Sequence, residues 1–248
     1  LDAAGRFLET RFAPLFYQRS TFATLSDSSA DEIEHIGIDR TQLTVIPPGV
    51  HERFTPEETK RSDTSEVVVV GRLVPVKRQR LALEALEVAR RSIPDLRVRL
   101  VGDGPDRATI EEWIADHDAE EWVQLDGRVS DEALVEAYRS AWLVVSASQA
   151  EGWGMSLTEG GACGTPCVAT DIAGHRGAAI DGVTGLLMAD TDRINTAKGL
   201  GAAVTDLLLD DERRGTMSDA AIRHSSGLSW SAVAARQLDV LCAAVVSR

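Results

Sequence analysis

The sequence predicts an α/β protein on a doubly wound parallel sheet, Rossmann-like, preceded by part of another α/β domain. Three observations carry this. From Glu66 onward, short apolar runs alternate with stretches at helical spacing, the pattern of βα units. Runs such as Val67–Val70, Trp142–Val145 and Cys167–Ala169 are apolar or small throughout, which suits strands covered on both faces. The turns after these runs are rich in glycine and charge, as expected where ligands bind at the carboxyl ends of parallel strands.

Taken in order, residues 1–20 read as a basic amphipathic helix bent at Pro14, with Phe7, Leu8, Phe12, Leu15 and Phe16 on its apolar side. Thr21–Leu25 reads as a short strand. The polar run Ser26-Asp27-Ser28-Ser29 caps a helix over about 29–36 that Gly37 ends. Gln42–Ile46 is a second strand, stopped by Pro47-Pro48-Gly49. These 50 residues hold too few strands for a domain and read as the end of an incomplete amino-terminal one. The polar stretch 51–65 reads as an interdomain linker. The domain over 66–228 then runs through a helix stripe at Leu81, Ala85, Leu86 and Ala89, and a strand Val98–Val101 with the turn Gly102-Asp103-Gly104-Pro105. A helix over about 106–117 and a strand Trp122–Leu125 follow, and Ser130 caps the helix Asp131–Ser140. Trp142–Val145 and Cys167–Ala169 are strands four and five, and Gly185–Met188 is the sixth. Helices near 195–209, 212–224 and 229–246 close the chain, the last treated as a separate crossover segment, 229–248.

Composition excludes some classes. The formal charge of −13 over 248 residues argues against nucleic-acid binding, which needs basic surface. Cys163, Cys167 and Cys242 form neither a disulfide framework nor a zinc spacing and suit reduced thiols in the cytoplasm. No apolar run approaches the 18 residues or so of a membrane span.

The chemistry gathers at the strand ends. Arg72 and Lys77, five positions apart after the first strand of the sheet, could clamp a diphosphate, the one as a planar fork and the other as a point charge. Gly102 and Gly104 make a tight turn that is not the six-position dinucleotide fingerprint, which disfavours a nicotinamide cofactor. Arg128 and Val129 could offer backbone groups to a base edge. Glu151-Gly152-Trp153-Gly154-Met155-Ser156-Leu157-Thr158-Glu159 sets two acids eight positions apart across a glycine-rich turn leading into a helix. Such a turn suits a ligand with both phosphate and hydroxyls, Glu151 pointing out of the loop and Glu159 projecting from the first helical turn. Ser156 and Glu159 also have the spacing of a capping box, an alternative use of the second acid. His175 lies in the turn after strand five, where a histidine is more often structural.

Gly71-Arg72-Leu73 with Lys77, Val101-Gly102-Asp103-Gly104-Pro105, Glu151-x7-Glu159, Gly164-Thr165-Pro166 and Asp181-Gly182-x-x-Gly185-Leu186-Leu187 occur in one order. In that ordered set the chain resembles the carboxyl half of retaining glycosyltransferases of family four, most specifically over residues 66–190. The resemblance implies the GT-B architecture, with a nucleoside-diphosphate sugar donor bound mainly by this half. It implies that Arg72 and Lys77 hold the diphosphate, Glu159 the ribose, and Glu151 the donor sugar. Backbone N–H groups from Trp153 to Leu157, starting beside Gly152, face sugar and phosphate. It also implies same-face displacement without a covalent enzyme nucleophile, no cofactor apart from the donor substrate, and no metal. Asp210-Asp211 falls in a helical region.

The acceptor is left open among carbohydrate, lipid and small molecule, and the expected location is the cytoplasm, including the inner membrane face. Departures are Gly160-Gly161 in place of an alanine-rich helix, which suggests a loose start or close approach to ligand, and Pro48 where asparagine is common. The family's amino-terminal glycine-rich loop and histidine have no counterpart, so the chain by itself is expected to bind donor but transfer poorly. Rival readings are a sugar phosphorylase or epimerase on the same scaffold, and a non-catalytic sugar-nucleotide-binding subunit.

Overall fold

The computed structural model describes residues 16–17, 20–57 and 61–246. The helix expected over residues 1–20 lies almost wholly outside them. The chain divides into two compact units, Leu1–Gly49 with Leu228–Arg248, and Val50–Gly227. In the smaller unit β1 (Phe22–Thr24) pairs in parallel with β2 (Leu43–Val45). Between them runs α1 (Asp27–His35), whose N-cap Ser26 accepts the Ser29 N–H at 3.1 Å. The closing helix of this unit is Trp230–Val246.

The larger unit holds six strands: β3 (Glu66–Val70), β4 (Arg97–Val101), β5 (Val123–Gly127), β6 (Leu143–Ser146), β7 (Cys167–Thr170) and β8 (Gly185–Met188). All pair in parallel, in the order β5-β4-β3-β6-β7-β8. Between the strands come α2 (Gln79–Arg90), α3 (Arg107–Asp116), α4 (Asp131–Ser140), α5 (Met155–Ala162) and α6 (Ala173–Ala178). After them come α7 (Arg193–Leu209) and α8 (Asp211–Ser226). α2 packs on α7 and α5 on α8. Every residue of β6 and β7 is buried, which explains why these strands read as apolar runs rather than as alternation. The core joins Val67 and Val69 of β3, Leu100 of β4 and Leu143 and Val145 of β6 to Leu83 and Leu86 of α2 and Leu200 and Leu207 of α7. The doubly wound sheet is therefore as expected, its strand ends shifted by one or two residues.

The strand order fixes where a ligand can sit. From β3 the chain crosses to β4 on one side, whereas from neighbouring β6 it crosses to β7 on the other. The loops after β3 and β6 therefore diverge and open a crevice at the switch point of the sheet. The stretch 51–65 is counted with the larger unit. Within it, the Arg61 guanidinium donates to the carbonyls of Ala141 and Gly164, and Ser62 N–H donates to Ser140 O at 3.0 Å.

The glycine turn after β4 has a packing reason. Gly102 has φ of +142°, and a Cβ there would lie 1.8 Å from the Gly71 carbonyl oxygen. A Cβ on Gly104 would lie 2.4 Å from Leu73 O. In their absence the two strand-end turns touch, joined by Leu73 N–H to Asp103 O and Asp106 N–H to Leu73 O, both at 3.0 Å. These glycines thus hold the Arg72 turn in place.

Gly102→Ala should therefore cost about 2–4 kcal/mol, the range of a strained backbone plus a clash. Gly215→Ala should instead gain about 0.5–1 kcal/mol, because Gly215 is an exposed position inside α8 with nothing within 4 Å of a new Cβ. Urea midpoints of both variants against the unmutated chain measure the contrast.

Candidate functional site

The crevice is bounded by the turn after β3 and the loop after β6, and hydrogen bonds fasten the two together. Gln149 N–H donates to Val76 O at 2.8 Å. Arg78 sits in the left-handed region with φ of 49°, as N-cap of α2. From there its guanidinium donates to Ala147 O at 2.7 Å, to Ser148 O at 3.1 Å and to Asp190 at 2.9 Å. A non-glycine residue in this conformation is costly, and these three bonds hold it there. They set the register of the adjacent Lys77 against the β6 loop.

Lys77 Nζ lies 2.9 Å from Glu151 Oε1, and both side chains are largely withdrawn from solvent. Glu151 thus does not point freely out of its loop, as the sequence suggested; its side chain is 9% exposed. His175 Nε2 approaches the same oxygen at 3.4 Å, and the Ser148 hydroxyl also donates to the carboxylate. Burial by itself would push this carboxyl up. The hydrogen bonds from His175, Ser148 and Lys77, with the Lys77 charge, outweigh it and hold the pKa at about 2. Arg72, in the same turn as Lys77, is exposed and makes no ion pair among the described residues.

Glu159 is placed differently. It stands in the second turn of α5, not the first, since the helix begins at Met155 with Gly154 as N-cap and no side-chain cap. The Ser156-Glu159 capping box is accordingly absent. Tyr138, fully buried on α4, donates its hydroxyl to Glu159 Oε2 at 2.9 Å. Burial raises the Glu159 pKa, and the Tyr138 bond only partly offsets it. The glycines that follow serve packing rather than a ligand: a Cβ on Gly160 would lie 2.4 Å from Val144 Cγ2 on β6.

The backbone donors are shifted by one residue. Leu157 N–H is consumed by Gly154 O at 2.9 Å. The N–H groups of Gly152, Trp153, Gly154, Met155 and Ser156 have no acceptor among the described residues. Trp153 is buried, and its indole Nε1 likewise has no partner among the described residues. Arg128 is exposed and Val129 half-buried just beyond β5, whose last residue, Gly127, accepts the Gly102 N–H at 2.8 Å.

The structure thus brings Lys77 and Glu151 into contact and sets Arg72, Gly102, Gly104 and Arg128 on neighbouring strand ends. Sequence reasoning left His175 and Tyr138 without a role. No group of metal-ligating side chains occurs among the described residues.

Residues 50–224 match the family model described as "Glycosyl transferases group 1". The chain belongs to this family. Among the curated members, D-inositol 3-phosphate glycosyltransferase of Geodermatophilus obscurus is 32% identical over 240 residues, 90% of this chain and 51% of that protein. GDP-mannose-dependent alpha-(1-6)-phosphatidylinositol monomannoside mannosyltransferase of Mycolicibacterium smegmatis is 32% identical over 233 residues, 86% of this chain and 56% of that protein. The chain spans about half the length of the curated family members it matches. Among solved structures, HepE of Anabaena in complex with UDP-glucose superposes with a TM-score of 0.80 at 20% identity, over 94% of this chain and 67% of that one. The pneumococcal O-GlcNAc transferase GtfA, in complex with UDP and GlcNAc, gives 0.80 at 20% identity, over 92% and 47%. These likenesses give the family member its fold, that of GT-B glycosyltransferases.

The two acids should respond oppositely to pH. Glu151 has a depressed folded pKa, so its contribution, on the order of 2–3 kcal/mol, is present above about pH 4.5 and lost as pH falls toward about 2. Glu151→Gln should therefore be less stable than the unmutated chain at pH 7, with the difference shrinking in acid. The Glu159 pKa is raised, so its contribution is full below about pH 4.5 and lost as pH rises through its folded value. Glu159→Gln should accordingly gain stability at pH 7 and lose that gain in acid. Urea denaturation of the three proteins at pH 7 and pH 3.5 measures both trends.

Proposed function

We propose that this chain supplies the donor-binding half of a retaining glycosyltransferase that moves a hexose from a nucleoside-diphosphate sugar to an acceptor. The observation that carries the reading is the Lys77–Glu151 pair at the switch point, with Arg72, unpaired among the described residues, in the same turn and five N–H groups after Glu151 that find no acceptor among those residues. A leaving diphosphate needs positive charge and oriented donors; Arg72, Lys77 and the loop N–H groups supply both. Glu151 then accepts from hydroxyls of the donor sugar, and Glu159, held by Tyr138, takes the ribose. Arg128 and Val129 border the base. The diphosphate is neutralised by protein groups, without a divalent metal.

Family membership and the neighbours' ligands support the nucleotide-sugar class over phosphorolysis or epimerisation. Retention, by same-face displacement without a covalent nucleophile, rests on the family-four motifs. A GDP-mannose enzyme among the relatives and UDP-glucose in HepE define the donors to try first. The acceptor is a carbohydrate, a lipid-linked polyol or a small polyol phosphate, the last two as in the names of the relatives, engaged in the cytoplasm or at its membrane face. No described helix is long and apolar enough to cross a membrane.

Calorimetric titration tests this reading. UDP or GDP should bind with EDTA present, and more tightly than the 2′-deoxy form. Lys77→Ala should cost the diphosphate a few kcal/mol at most while sparing the nucleoside, and the difference should shrink with salt. Loss of binding on chelation, with Lys77→Ala unaffected, would remove the phosphate clamp from this turn.

A further inference from the structure

We infer that His175 is a positioning residue for donor-sugar recognition: it holds Glu151 in place, and through Glu151 it sets the preference for a sugar nucleotide over the bare diphosphate. The inference rests on the donor-binding reading above. His175 is fully buried in α6. Its Nδ1 lies 2.7 Å from Thr170 O, and since a carbonyl oxygen can only accept, Nδ1 donates there; the Glu151 carboxylate at Nε2 also only accepts, so the ring makes both bonds with a proton on each nitrogen. The ring is thereby pinned to the end of β7 and turns Nε2 toward the crevice. There Nε2 meets Ser146 Oγ at 3.2 Å and Glu151 Oε1 at 3.4 Å.

The residue before it supplies the space. A Cβ on Gly174 would lie 2.2 Å from Glu151 O and 3.0 Å from Glu151 Cβ. The first turn of α6 therefore lies directly against Glu151, Gly174 under its backbone and His175 beside its carboxylate. The opposite flank is Gly154, where a Cβ would touch His175 Cδ2 at 3.1 Å. The imidazole is thus wedged between the loop that begins with Glu151 and the strand behind it.

Lys77 alone cannot keep Glu151 fixed once a diphosphate competes for the ammonium. His175 and Ser148 are the supports that stay. Held by them, the carboxylate presents the same oxygens to vicinal hydroxyls; without them it follows Lys77 or turns to solvent. The role acts on the sugar and not on the diphosphate, and this separates it from a merely structural one.

Two substitutions divide the two bonds of the ring. His175→Asn keeps a donor near Nδ1 for Thr170 O but cannot reach Glu151, whereas His175→Gln keeps a donor near Nε2. The 248-residue chain and both variants are titrated with UDP and UDP-glucose, and with GDP and GDP-mannose, and folding is checked by circular dichroism and urea midpoint. Asn should weaken the sugar nucleotide about tenfold and leave the matching diphosphate within about twofold, while Gln stays near the unmutated chain for both. Equal losses for diphosphate and sugar nucleotide, no loss with Asn, or Gln behaving as Asn would overturn the role. If Asn does not fold, His175→Leu is read by the same criterion. Binding of neither diphosphate by the unmutated chain would instead remove the donor-binding reading, and this inference with it.

Discussion

The site depends on one buried charge. The Glu151 carboxylate is kept ionised away from water, which is tolerable only where donors surround it. Those donors come from three places: Lys77 after β3, Ser148 at the end of β6, and His175 on the helix after β7. Satisfying a single carboxylate therefore fixes three strand-end segments relative to one another. Arg78 repeats the connection through backbone carbonyls, and Gly102 and Gly104 extend it to the β4 turn. These bonds hold the walls of the crevice through the protein's own groups, which lowers the ordering cost of binding.

The two glutamates of the motif are held in opposite electrostatic states. Glu151 has several donors, the Lys77 ammonium among them, and lies well below the usual carboxylate range. Glu159 has one neutral phenol and lies above its ordinary value. In the proposed reading this difference suits division of labour: an ionised acceptor for the sugar, and a carboxyl of lower charge demand for the ribose. Because Lys77 and Glu151 neutralise one another, a diphosphate bound as proposed competes with a carboxylate for the ammonium.

The sheet was legible because parallel strands covered on both faces leave unbroken apolar runs, as in Leu143–Ser146 and Cys167–Thr170. The motif residues at the strand ends were legible for the same reason, since the strand order decides which turns share the crevice. What depends on crossings between distant segments was not. Tyr138 reaches Glu159 from a different helix, and His175 reaches Glu151 across 24 positions. Ser156-x-x-Glu159 misled because the helix starts at Gly154, which puts Ser156 inside the first turn. Gly160 read as a close approach to ligand, yet a Cβ there would meet Val144, and Gly102 and Gly104 make room for the turn after β3.

In the proposed reading Lys77 is shared between Glu151 and the diphosphate. The affinity of Glu151→Gln for the bare nucleoside diphosphate tests it most directly. Removing the carboxylate charge releases the ammonium and removes a like charge beside the phosphates, so binding should be several-fold tighter than in the unmutated chain. That gain should be absent for the sugar nucleotide. Diphosphate binding weakened by Glu151→Gln as much as by Lys77→Ala would contradict the shared cation and leave Glu151 with only a structural part.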